Sequence, residues 1–313
     1  MKKIAKTANV QGTILWLWMA LSFLVGTSLV SAQEMPSDYK EVLSYLGRKG
    51  DYAENVLKVG IPRNDLKVTV AGIPTPTSFG FGGWLGFTKG EMGMDVMMGD
   101  LVLLQDEVNP VMSALLENGL EVTALHNHFF WEEPRIFYMH VHGHGQALTL
   151  ARSVKPALDL IGHIHVPTPS GSSKSAQIAA VVSLDQDKLN SIIGWKGALD
   201  GQVYKVTVGR PDLTLKEMGA TINARMGLNS WAAITGSREK AAIAGDIAMT
   251  EGEVDGVLKS LRKDSLDVVA IHHHMIGGRP TIIFLHYWGV GPAEKLAAGF
   301  RDALSQLGKN AAR

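Results

Sequence analysis

Cysteine is absent from all 313 residues. No disulfide can staple this fold, and any metal site must be built from histidine, carboxylate, methionine or backbone oxygen. A surplus of charge is absent too: 30 Lys and Arg stand against 30 Asp and Glu, with no run of like charges. That balance excludes a broad nucleic-acid surface, which needs clustered basic residues. Beyond residue 33 no apolar run reaches membrane-spanning length, and neither a Gly-x-Ser-x-Gly elbow nor a P-loop occurs. What remains is a chain 46% apolar and 19% charged, long enough for two domains with sizeable cores.

The N-terminus carries a distinct pattern. Lys2, Lys3 and Lys6 precede an apolar run from Ile14 to Val25, and Val30-Ser31-Ala32 follows with compact residues. This is the layout of a secretory signal peptide over residues 1–32, cleaved after Ala32; the alternative is an uncleaved anchor. The expectation is a periplasmic or secreted protein with no stable membrane span after signal cleavage. No cysteine follows the run, so lipid attachment there is excluded.

The rest is a duplication. Residues 99–151 align on 245–297 at an offset of 146 without a gap, matching Gly99-Asp100 with Gly245-Asp246 and Glu107-Val108 with Glu253-Val254. Upstream the offset is 147: Lys58 meets Lys205, Arg63 meets Arg210 and Trp84 meets Trp231. The copies span 38–160 and 185–308, and the stretch 161–184, with Pro, Gly and Ser between Pro167 and Ser175, reads as the linker.

Within one copy, Leu101–Leu104 reads as a strand. Val108, Val111, Met112, Leu115 and Leu116 have helical spacing that Gly119 ends. Two β-prone stretches, 120–130 and 135–141, flank a turn at Pro134, and Leu148, Ala151, Val154 and Leu158 mark a second helix. The expected fold is α+β: two tandem modules, each a mostly antiparallel or mixed sheet with helices on one face.

Nine of the eleven histidines fall in two windows: His126, His128, His140, His142 and His144, then His272, His273, His274 and His286. Residues i and i+2 of a strand share a face, so His126 pairs with His128 and His272 with His274. A five-residue loop, 131–135, would set His126 opposite His140. Imidazoles gathered on one sheet face can ligate a divalent transition metal, zinc first and copper second. The candidate ligands are His126, His128, His140, His142, His272, His274 and His286. Asp100, Glu107, Glu133, Arg135 and His144 are candidates to orient them or to contact a ligand. The bland reading is a set of hydrogen-bonded core histidines. Because Trp288 and Val290 replace His142 and His144, the first copy is expected to carry the function. Met92, Met94, Met97 and Met98 suggest core packing, or cuprous copper as a rival. Trp84 and Trp231 read as core anchors, with a ligand-stacking role as the alternative.

At these residues the chain resembles the LppY/LpqO family of exported bacterial proteins. The motifs that carry the resemblance are Gly99-Asp100-Leu101-Val102-Leu103, Glu107-Val108-Asn109-Pro110-Val111-Met112, Ala124-Leu125-His126-Asn127-His128, Glu133-Pro134-Arg135 and His140-Val141-His142-Gly143-His144-Gly145. The resemblance covers nearly the whole mature chain and implies export and a two-copy architecture. The family's namesakes are lipoproteins, and this chain lacks the acceptor cysteine. The functional expectation is an extracytoplasmic metal-binding protein, with metal-dependent hydrolysis as one form of it. The alternative is a non-catalytic binding module for a small anionic or polar ligand.

Overall fold

A computed structural model describes residues 33–163, 183–276 and 278–308. The expected signal segment and most of the linker lie outside them. The first repeat runs α1 (Ser37–Leu46), β1 (Gly50–Ala53), β2 (Val56–Pro62), β3 (Val68–Val70), β4 (Ile73–Thr75), β5 (Gly82–Lys89), β6 (Asp95–Leu104), α2 (Gln105–Glu117), β7 (Glu121–His126), β8 (Glu132–Glu133), β9 (Ile136–Gly145) and α3 (Ala147–Leu158). The second repeats the order: α4 (Gln186–Ile193), β10 (Ala198–Asp200), β11 (Val203–Gly209), β12 (Leu215–Glu217), β13 (Ala220–Ile222), β14 (Asn229–Gly236), β15 (Ala241–Thr250), α5 (Val254–Lys263), β16 (Asp267–His272), β17 (Ile282–Gly291) and α6 (Ala293–Leu304).

Each repeat builds a six-stranded sheet, β1-β2-β5-β6-β9-β7 and β10-β11-β14-β15-β17-β16, with every ladder antiparallel. The pleat explains how one strand serves two cores. In β6 the residues Met97, Leu101 and Leu103 bury against α1, α2 and α3, while Val96, Met98 and Val102 bury against the other repeat. The second repeat does the same, with Ile243, Ile247 and Met249 under its helices and Ala242, Ala244 and Ala248 toward the first. The result is four layers, helix–sheet–sheet–helix. Strand β6 starts six residues before the expected Leu101, because Asp95–Gly99 is buried on both faces although Met and Gly are weak strand formers.

One buried ion pair fastens each sheet to its helix. Arg63 donates to the Val102 carbonyl (2.7 Å) and to Glu107 (2.6 Å), and the same carboxylate accepts the Leu104 N–H at the start of α2. Arg210, Ala248, Glu253 and Thr250 repeat this. Glu107 is therefore committed to Arg63 and to a helix N-terminus, which corrects its expected place beside the histidines. No helix among the described residues is long and apolar enough to cross a membrane.

Candidate metal centre

The inner faces of the two sheets carry matching rows. In the first, Gly60, Trp84, Asp100, His140 and Ala124 are cross-strand neighbours; in the second, Thr207, Trp231, Asp246, His286 and Ala270. The next row holds His126 beside Tyr138 and His272 beside Phe284. His126 thus stands one pair along from the expected register, opposite Tyr138 rather than His140. A slip of two residues keeps parity, so the imidazoles still share a face. Beyond β7 the Asn127 amide donates to the Ile136 carbonyl at 2.6 Å and continues the pairing, while His128 stacks on Tyr138. His274 stacks on Phe284 in the same way.

Because the two faces oppose each other, the two histidine sets merge into one cluster. His126 Nε2 lies 3.2 Å from His286 Nε2, and the His126 and His272 rings stack at 3.8 Å between centroids. His140 stacks on His274 and His128 on His286. Three overlapping sets, His126/His140/His272, His126/His128/His286 and Asp246/His272/His274, each bring their ligand atoms within 4.8 Å of one another. The sequence-based picture of two unequal histidine sets, the better one in the first copy, is corrected: there is one cluster, and both copies supply it.

The second-layer contacts are sparse. His286 Nδ1 donates to the Gly245 carbonyl at 3.2 Å, which leaves its Nε2 lone pair facing the cluster. Asp246 accepts the Leu285 N–H and lies 3.6 Å from His274, while Asp100 lies 3.9 Å from His128. Asp100 Oδ1, His126 Nδ1, His140 Nε2, His274 Nδ1 and both ring nitrogens of His128 and His272 are buried without a hydrogen-bond partner among the described residues. A closed structural core satisfies such atoms. Burial holds all six imidazoles well below the usual histidine range, His126 down to about 3, and mutual repulsion adds to this for most of them. Burial also raises both Asp100 and Asp246, the latter further through Asp100. Neutral imidazoles with free lone pairs beside carboxyl groups are the donor set a divalent transition ion takes.

Other expected residues stand elsewhere. His142 shares the face of His140 but turns away to Glu217 of the other repeat (3.0 Å) and to Glu121 (3.5 Å). Its counterpart Trp288 packs edge-on against Phe79 and Phe129, so this position joins the repeats, by charge on one side and by aromatic contact on the other. Glu133, Arg135 and His144 are exposed. Met97 lies under the helices and Met98 among apolar residues between the sheets, which makes these two packing residues, whereas Met92 is exposed.

Sequence reasoning missed what lies over the centre. A cavity of about 510 Å³ opens onto Asp100, Asp246, His128, His274 and His286. Trp84 and Trp231 wall it, Trp231 while also packing against the core between the sheets, and each carries a lysine: Lys58 Nζ is 3.5 Å from the Trp84 ring and Lys205 Nζ 4.7 Å from Trp231. Burial and the neighbouring Arg225 and Lys205 push the Lys58 ammonium down to about 7. The signal was present: Lys58, Trp84 and Asp100 recur as Lys205, Trp231 and Asp246, at strand parity with the histidines.

Among solved structures, the chain is similar to EtuB from Clostridium kluyveri at 8% identity, covering 83% of this chain and 89% of that one with a TM-score of 0.21. It is similar to the trimeric bacterial microcompartment shell protein PduB at 12% identity, covering 82% and 92% with a TM-score of 0.19. Scores this low establish no common fold. No curated protein matches the sequence significantly. The model of the family described as Domain of Unknown Function (DUF1259) matches residues 40–160 and again 187–306, and this chain therefore belongs to that family, with two tandem copies of its domain.

Proposed function

We propose that this chain is an extracytoplasmic metalloprotein whose two repeats share a single divalent transition-metal centre. Zinc is the first choice of ion and copper the second. The carrying observation is the convergence of six buried imidazoles from both repeats, many of their nitrogens without a partner. An unmet buried polar atom costs about 1–3 kcal/mol, and a bound cation removes that cost from several atoms at once. Zinc–nitrogen bonds of about 2.0–2.1 Å put two ligand nitrogens about 3.3 Å apart. The 3.2 Å between His126 and His286 agrees with this. Export is supported by the N-terminal pattern and by the resemblance of the histidine motifs to the LppY/LpqO family.

His128, His274 and His286 face the cavity, so an ion held there is reachable by a small molecule. That supports metal-dependent hydrolysis, in which the ion polarises a carbonyl or phosphoryl oxygen or activates water. The second reading, a non-catalytic module for a small anionic or polar ligand, is favoured by the cationic wall of the same cavity. Elemental analysis and calorimetric zinc titration of untagged protein test the metal centre. Stoichiometric binding is expected, and no uptake of any transition metal overturns it. Turnover of ester or phosphoester substrates by the loaded protein separates the enzyme from the binding module.

A further inference from the structure

Lys58, Lys205 and Arg225 converge on the cavity above the centre. Neither lysine has a carboxylate within ion-pair distance among the described residues; each lies on the face of its own tryptophan. Lys58 is fixed further by donating to the Arg225 carbonyl at 3.1 Å. Arg225 makes one ion pair, to Asp51 at the rim, and its Nε is buried without a partner. All three side chains line the same cavity, and Lys58 touches the backbone of Arg225, which places the three cations around one space. Asp51 pairs with Arg225, and Asp100 and Asp51 act on Lys58 as Asp200 does on Lys205, yet burial still holds both ammonium groups below the usual lysine range, so an anion in the cavity supplies what these carboxylates do not.

We propose that Lys58, Lys205 and Arg225 form an anion-binding site that holds the carboxylate or phosphate of a small molecule, with Trp84 and Trp231 as its walls and the histidine–aspartate centre as its floor. The assignment deepens the metal-centre reading and rests on it for the role of the floor. The two Trp–Lys pairs are related by the repeat and present flat apolar surface with a charge on each side. Arg225 breaks that symmetry, because Ser78 stands at the matching position and also lines the cavity. The guanidinium fork gives one end of the cavity the geometry that carboxylate and phosphate accept in pairs. The volume, about 510 Å³, suits a small metabolite and not a polymer.

The test is calorimetric titration of the full chain, zinc-loaded and zinc-free, with inorganic phosphate in one arm and succinate in the other. Wild type is expected to bind at least one of them saturably. Lys58→Met with Lys205→Met should weaken that binding about tenfold or more, the loss expected for charge-assisted hydrogen bonds, while zinc stoichiometry stays the same. Arg225→Gln, a change at the rim, should weaken it several-fold and serves if the lysine pair fails to fold. The arm with the larger response names the anion class. If neither anion binds wild type, or if the folded variants bind as wild type does, the anion sits on the metal or nowhere and the proposal is overturned. If zinc fails to bind while the anion still does so in a lysine-dependent way, the anion site stands and the metal-centre reading falls.

Discussion

His126 and His286 meet Nε2 to Nε2 at 3.2 Å, although 160 residues separate them in the chain. Each comes from a different repeat, so each half of the chain holds only part of the histidine cluster.

Damage to the two halves should therefore be equivalent. His272→Ala with His286→Ala is expected to abolish zinc uptake as completely as His126→Ala with His140→Ala, with circular dichroism unchanged in both. Titration calorimetry of the two double variants side by side checks this. Retention of most uptake in the second-repeat pair alone would restore a dominant first copy.

Position 142 should affect stability and not metal. His142 engages Glu217 across the repeats, and Glu217 is buried. His142→Phe leaves that carboxylate without its partner, at an expected cost of about 1–3 kcal/mol. Urea denaturation reads the cost, and unchanged zinc stoichiometry in the folded variant separates this role from ligation.

Arg63→Met should be among the most damaging single changes away from the centre. It strands the buried Glu107 carboxylate, and breaking a buried pair by removing one partner costs about 3–5 kcal/mol. The effect carries a pH signature through Asp65, whose carboxyl Arg63 holds below the usual aspartate range. A carboxyl lowered on folding contributes stability above its unfolded value of 3.8 and loses it as pH falls through the folded value. The gap between wild type and variant should narrow in denaturation curves taken below that pH. A gap that widens on acidification contradicts the assignment.

Gly245 tests the approach of the strands at the aspartates. A Cβ there collides with the Trp231 carbonyl and the Tyr287 hydroxyl, and at Gly99 it would lie 2.6 Å from the Trp84 carbonyl. Gly245→Ala pushes β14 from β15 beside Asp246. It should lower stability by about 1–3 kcal/mol, the usual cost of overpacking, and weaken zinc binding with it. Thermal melts with and without zinc separate the two effects, since ligand stabilisation shrinks only if affinity falls.

The features legible in the sequence are those that repeat along the chain. Period-two alternation placed His126 and His140 on one face, and the 3.6-residue spacing of Val108, Val111 and Leu115 placed α2. Parity survived even where the register was misjudged by two residues. Two facts were not legible, because they depend on how the repeats meet. That His126 touches His272 is decided by sheet packing, which no local pattern encodes. That His142 leaves the cluster is decided by Glu217, 75 positions away on a hairpin of the other copy. Trp84 was legible only as a choice between core anchor and ligand-stacking surface, because a large aromatic suits either, and the lysine across its face marks the cavity beside it.

The face-to-face sheets have a consequence for ancestry. A lone copy of this module holds three of the histidines and one aspartate, so it could complete the centre only as a homodimer about a twofold axis. Joining two copies in tandem makes the encounter intramolecular and independent of protein concentration. It also frees the halves to differ, as Trp288 differs from His142 and Arg225 from Ser78, which makes the two ends of the cavity unlike.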